Sequence, residues 1–167
     1  MADQAETNQA EGPEILYQPT VVVQAIGGPD KHVSFATGEE AVMGMNGRLA
    51  DFYGAEPGTF SPRASTLDFV VGATAACLLG TFRRALAARG VPASTEDLAA
   101  DAAGDVVVID GVPQLKRIIV HYRLTVPADA DVVVIERAHQ VHHRACAVSR
   151  SLESAIDIRT ELELVQS

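Results

Sequence analysis

Tryptophan is absent from this 167-residue chain, and aromatic residues together make up only 5% of it. That leaves no stock of flat rings on which single-stranded nucleic acid could stack. Lysine and arginine number 13 against 22 aspartates and glutamates, a formal charge of −9, and they form no run. Such a balance excludes a surface built to track phosphates. The two cysteines, Cys77 and Cys146, are too few for a disulfide-stapled secreted scaffold. No uninterrupted apolar run reaches the roughly 18–20 residues of a membrane span. The longest apolar-rich segment, Leu67 to Leu86, is broken by Asp68, two threonines, Arg83 and Arg84. The opening MADQAETNQAEGPE holds no apolar core of the kind a signal peptide needs. These absences lead us to expect a soluble, cytoplasmic protein with no nucleic-acid and no membrane partner.

What is present is enough for one core: 47% of the residues are hydrophobic, in a chain the length of one ordinary domain. Residues 1–14 carry Asp3, Glu6, Glu11 and Glu14 with little to bury. They read as a disordered acidic tail, which leaves 15–167 as a single domain.

Thr20–Ile26 is rich in β-formers, Gly27-Gly28-Pro29-Asp30 is a turn signal, and His32–Ala36 alternates after it. A hairpin is predicted there. Residues 37–64 hold glycines and prolines with weak periodicity and read as a long irregular connection, with one short strand near Ala41–Met45. Ser65-x-x-Asp68 before an apolar run opens a helix in the manner of a capping box, and Gly90 and Pro92 stop it after Arg89. That helix is apolar nearly all round and so is predicted to be buried on most faces, within a core or between subunits. Leu98–Ile109 and Leu115–Val126 read as strands joined through an Asp110-Gly111 turn. A second helix follows over Asp131–Arg144, a third begins around Cys146, and Ile156–Val165 alternates as a closing strand. The plan is α+β with antiparallel strands.

Cys77 lies three turns into the long helix among Gly72, Ala73, Thr74 and Ala76. It reads either as a small apolar filler or as a reactive thiol with room around its sulfur. Cys146 falls where one helix gives way to the next, between Arg144 and Arg150. Free N–H groups and the helix dipole would favour its thiolate there, whereas burial would make it another filler. One thiol in a helix and one at a helix start suit a thiol–disulfide cycle. A rival reading uses His139, His142, His143 and Cys146, spaced i, i+3, i+4 and i+7. On one continuous helix they would share a face and could hold zinc or a similar metal. His121, on a strand beside Tyr122, reads as structural.

Over residues 65–165 the chain resembles the OsmC/Ohr superfamily of thiol-dependent organic hydroperoxide peroxidases. The resemblance rests on Ser65-Thr66-Leu67-Asp68-Phe69 leading to Ala75-Ala76-Cys77, on Ala145-Cys146-Ala147-Val148-Ser149, on Tyr122-Arg123-Leu124-Thr125-Val126-Pro127, and on the closing strand. It implies an OsmC-like fold with a long buried central helix, forming an intertwined homodimer with active sites at the subunit interface. It implies Cys77 as the peroxidatic cysteine and Cys146 as the resolving one, with an external dithiol as reductant and no cofactor or metal. The family's loop arginine corresponds best to Arg48 in Asn46-Gly47-Arg48-Leu49, with Arg63 as second choice. Phe69, Val70, Val71 and Leu78 would line an apolar pocket for the hydroperoxide. Two positions depart from the pattern: Leu67, with Asp68 beside it, stands where the family usually has a glutamate, and Ala147 where it has a proline. The alternatives are an OsmC-like module that binds an apolar ligand or senses thiol redox state without efficient peroxidase activity, and a metal-binding protein using the histidine cluster.

Overall fold

The computed structural model describes residues 14–56 and 58–167, so the expected acidic tail lies outside the described residues except for Glu14. Strands β1 (Val21–Gly27), β2 (Asp30–Phe35) and β3 (Glu40–Met43) form an antiparallel three-stranded sheet in that order. Helices α1 (Gly47–Phe52) and α2 (Thr66–Ala87) follow, then the hairpin of β4 (Leu98–Ile109) and β5 (Val112–Val126). Helix α3 (Val132–His142) passes through a 3₁₀ turn at His143–Ala145 into α4 (Ala147–Leu152), and β6 (Asp157–Gln166) closes the chain. The second sheet has the order β4-β5-β6. The expected α+β architecture, with its long central helix, is the one observed.

Local chemistry accounts for most of the boundaries. Ser65 Oγ accepts from the Asp68 amide while the Asp68 carboxylate accepts from the Ser65 amide, so the capping box is complete. At the other end Gly90 takes a left-handed φ of 73°, a conformation that ends helices cheaply only at glycine. Asp110 and Gly111 both have positive φ, 51° and 77°, which gives the two-residue turn whose twist matches the β4–β5 pair.

Three expectations need correction. The antiparallel plan holds for β1–β2–β3 and for β4–β5, but β6 runs parallel to β5 along its whole length. The intervening α3 and α4 supply the crossover that a parallel pair requires. The connection over 37–64 is not wholly irregular: besides β3 it contains α1, capped by the Asn46 side chain, which accepts from the Leu49 amide. Finally, within one chain α2 is buried along one stripe, so burial of most of its faces inside its own core is not what is observed. Thr74, Leu78, Phe82 and Leu86 are fully covered, while Gly72, Ala73, Ala76 and Gly80 remain exposed in the single chain. By length and composition α2 could span a membrane, but its covered stripe packs it as a core helix on its own sheet.

The core lies between that stripe and the inward face of β5, where Ile118, Val120, Tyr122 and Leu124 alternate with exposed or half-buried neighbours, and α3 adds Ile135 and Ala138. At Gly104 the helix comes so close to β4 that an added Cβ would sit 2.7 Å from both Val71 Cγ2 and Leu115 Cδ1. The first sheet, by contrast, stands away from the helical layer. A Gly44–Ser65 bridge and the Arg63–Asp30 ion pair at 2.8 Å tie it to the chain leading into α2, yet Val22 is 61% and Ile26 54% exposed.

Because Phe82 fills the centre of the core, Phe82→Ala is expected to cost about 3–5 kcal/mol. Denaturant unfolding of the variant beside wild type measures this directly.

Candidate active site

Cys77 projects from the middle of α2, half-buried, and Cys146 is fully buried at the residue that caps α4. Distant in sequence, the two free thiols are neighbours in space, close enough for Cys77 to raise the Cys146 thiol. Cys146 Sγ also accepts from the Ser149 amide at 3.4 Å. Of the two readings left open for Cys146, burial outweighs the helix start. Burial first, and the adjacent Cys77 second, push the Cys146 thiol up to about 11, against the opposing pull of the α4 amides. Arg144 and Arg150 are exposed, and Arg150 pairs with Glu153. Cys146 is therefore a protonated thiol at neutral pH.

Beside the thiols lies a buried polar chain. The Tyr122 hydroxyl is 2.8 Å from His142 Nε2, and His142 Nδ1 is 2.6 Å from the His139 carbonyl oxygen. A carbonyl can only accept, so Nδ1 carries the proton, Nε2 is the acceptor, and the tyrosine donates. Burial pushes the Tyr122 hydroxyl well above its ordinary range, with the two thiols adding to the effect. Burial likewise pulls His142 down to about 4, outweighing the His139 carbonyl, with His139 and His143 adding to the lowering. Phe82 packs against both rings, 4.8 Å from Tyr122 and 5.1 Å from His142 between centroids.

The structure does not bring the expected arginines to Cys77. Arg48 is exposed on α1 and lines a pocket of about 370 Å³ with Asn46, Phe52, Leu67, Val106 and Pro113, at the N-terminal end of α2. Arg63 is held by Asp30 of the first sheet, which makes it a structural tie. Asp68, beside the departed glutamate position, is occupied by capping: partial burial opposes its ionisation, but the Ser65 amide and hydroxyl and the Asn46 amide outweigh that and hold its carboxyl below the usual range. Leu67 is half-buried between the Arg48 pocket and a neighbouring groove of about 650 Å³ that runs along α2 past Val71, Ala75 and Leu79 over the small residues of β4. Of the four expected pocket residues, Val71 lines this groove, whereas Leu78 is locked in the core.

The shared metal-binding face does not form. Helix α3 ends at His142, a 3₁₀ turn intervenes, and both nitrogens of His142 are already engaged. Among the described residues no group of three or more potential ligands is placed to hold a metal ion. His121 sits half-buried on the outward side of β5, between Asp101 and Glu161 in register.

The Tyr122–His142 pair escaped the sequence reading, although a signal exists. Tyr122 falls on the inward phase of β5 and His142 on the same helical face as Ile135 and Ala138, and polar groups on core faces demand partners.

Two packed layers around a long capped helix, with one cysteine on it and a second at a following helix start, define an OsmC-type fold. The family model for OsmC-like protein matches residues 59–161, well over half of the sequence, and the chain belongs to that family. Its structure is similar to an OsmC-like protein of unknown function from Vibrio cholerae, with a TM-score of 0.71 at 13% identity, covering 89% of this chain and 100% of that one. It is also similar to an organic hydroperoxide resistance protein, OsmC, from Legionella pneumophila (TM-score 0.65, 15% identity, 90% and 99% covered). A third likeness is to the organic hydroperoxide resistance protein OhrB of Bacillus subtilis (TM-score 0.62, 16% identity, 89% and 100% covered). At these identities the likeness carries the fold alone. No curated protein matches the sequence.

The lowered His142 makes stability depend on pH. The unfolded chain binds this proton below the ordinary histidine pKa of 6.5 while the folded chain refuses it until about 4. Stability is thus fully present above that ordinary value and is lost as pH falls through the window, by up to about 3 kcal/mol. Asp68 adds loss in the same direction at lower pH. Denaturant midpoints measured across the window are expected to fall steadily for wild type and less steeply for His142→Gln, which keeps the smaller contribution of His139, itself lowered by burial.

Proposed function

We propose that the protein is a thiol-dependent peroxidase that reduces organic or lipid hydroperoxides. The observation that carries this reading is the pairing of a half-exposed thiol on α2 with a buried one beside it, both free. The Cys77 thiolate attacks the terminal peroxide oxygen; the O–O bond breaks, the alcohol leaves with a proton, and Cys77 becomes a sulfenic acid. Cys146 then attacks that sulfur, its own proton and the hydroxyl leave as water, and the disulfide forms. An external dithiol returns both thiols and is itself oxidised. Cys146 is unreactive towards bulk oxidant while protonated and buried, which suits a group used only after Cys77 has reacted. The dithiol requirement fits a reducing compartment, the cytoplasm.

The working unit of this reading is a homodimer. An apolar sheet face is stable when covered, and among the described residues nothing covers the first sheet, with Val21, Val22 and Val23 all more than half exposed. The exposed small residues of α2 and the valines at the tip of the β4–β5 hairpin add to the uncovered apolar surface. A second copy covers these surfaces and supplies what a single chain lacks at Cys77, a cation. We assign Arg48 to that role across the interface, holding the thiolate and polarising the peroxide.

Free-thiol titration after one equivalent of an organic hydroperoxide tests the assignment. Wild type is expected to lose both thiols, Cys77→Ser to keep its one, and Cys146→Ser to stop at a sulfenic acid that a dimedone-type reagent traps. Survival of both thiols in folded wild type would overturn the peroxidase reading and favour the second one, in which the groove beside Leu67 and Val71 holds an apolar ligand and the thiols sense redox state. Arg48→Ala is expected to slow Cys77 oxidation by about a hundredfold without changing the dimer mass in sedimentation. An unchanged rate would remove Arg48 from the site.

A further inference from the structure

The segment that carries Cys146 is linked to the sheet by a single side-chain hydrogen bond among the described residues, that between His142 and Tyr122. The other hydrogen bonds of this stretch stay within the helical region: Cys146 N–H to the His143 carbonyl at 3.1 Å, the Ser149 amide to Cys146 Sγ at 3.4 Å, and His142 Nδ1 to the His139 carbonyl at 2.6 Å. Tyr122 and His142 are 0% and 2% exposed. Two buried polar rings are costly unless their hydrogen bonds are complete; here the Tyr122 hydroxyl and His142 Nε2 satisfy each other, and the His139 carbonyl takes the remaining His142 proton. We propose that the Tyr122–His142 pair is a positioning clamp that holds Cys146 in register with Cys77 for disulfide closure. The clamp rests on the reading of the two cysteines as a disulfide-forming pair.

The geometry of disulfides supplies the reason. Two cysteines join without strain only when their Cα atoms lie within roughly 4.4–6.8 Å and their Cβ vectors converge. Cys146 belongs to a turn between two helices, so helical hydrogen bonding does not by itself fix its distance from α2. His142 is one helical turn before it, and Tyr122 is on the central strand that α2 packs against. Neither residue touches the peroxide or exchanges protons in the cycle; both act through the placement of Cys146.

The test needs no peroxide. One equivalent of dithiobis(nitrobenzoate) reacts at the accessible Cys77, releasing a first thionitrobenzoate and leaving a mixed disulfide. Attack of Cys146 on the Cys77 sulfur of that mixed disulfide then closes the protein disulfide, frees its proton and releases a second thionitrobenzoate, so the two absorbance phases report labelling and closure separately. Tyr122→Phe and His142→Leu are expected to keep the first phase and to slow the second by on the order of tenfold, with a matching fall in the disulfide's equilibrium constant against glutathione. His142→Gln, whose amide can accept from Tyr122 and donate to His139, is expected to close like wild type. Folding is checked by circular dichroism and by melting well above the assay temperature. Tyr122→Phe, which deletes one oxygen, keeps the test decisive if His142→Leu fails to fold. Wild-type closure in folded Tyr122→Phe would overturn the clamp and leave the cysteine pair standing. A wild type that releases only one thionitrobenzoate would overturn the pair itself, and the clamp with it.

Discussion

A phenol on the core face of a strand must find a hydrogen-bond partner or lose the free energy of burying it. Tyr122 finds His142, and much of the second half of the molecule is arranged around that contact. The pairing pins the end of α3 to the central strand, Phe82 packs against both rings, and the His139 carbonyl sets the imidazole tautomer. Burial, with His139 and His143 adding to it, keeps His142 neutral. The thiol pair sits at the edge of this cluster, so its geometry inherits the rigidity of the core.

Charge is excluded from the same region. Among the described residues no cation lowers the Cys146 thiol, the arginines nearest in sequence are exposed, and its proton is held by burial and by Cys77. A helix start alone does not make a reactive thiol when the sulfur is fully covered. Cys77 is half-buried and Cys146 fully buried, so solvent reaches the first thiol and not the second. Against this dry interior stands a large uncovered apolar surface on the first sheet, on α2 and at the hairpin tip. Single-chain packing leaves it open, and that imbalance is the physical argument for a second copy.

Much of the plan was legible from particular residues. The capping box at Ser65 and Asp68, the stop at Gly90, the Asp110-Gly111 turn and the alternation of β5 are local signals, and each appears where its chemistry requires. The direction of β6 was not legible, because alternation is the same for a parallel and an antiparallel neighbour. The short helix α1 was hidden by glycines on either side of it, although Asn46 followed by Gly47 marks its start. The four-ligand face failed because a heptad-like spacing describes a site only if the helix continues, and here it breaks after His142.

The sequence by itself determined the α+β class, the two cysteines as the chemistry worth following, and the family resemblance, since these depend on residue types and short spacings. Only the tertiary structure decided that the two thiols are neighbours, that Arg63 is tied to Asp30 while Arg48 lines a pocket at the N-terminal end of α2, and that Tyr122 and His142 hydrogen-bond each other. Those are long-range contacts. The thiol and Tyr122–His142 contacts arise from how α2 and α3 seat on one face of β5, the Arg63 tie from how the first sheet meets the chain leading into α2, and no window of neighbouring residues contains that information.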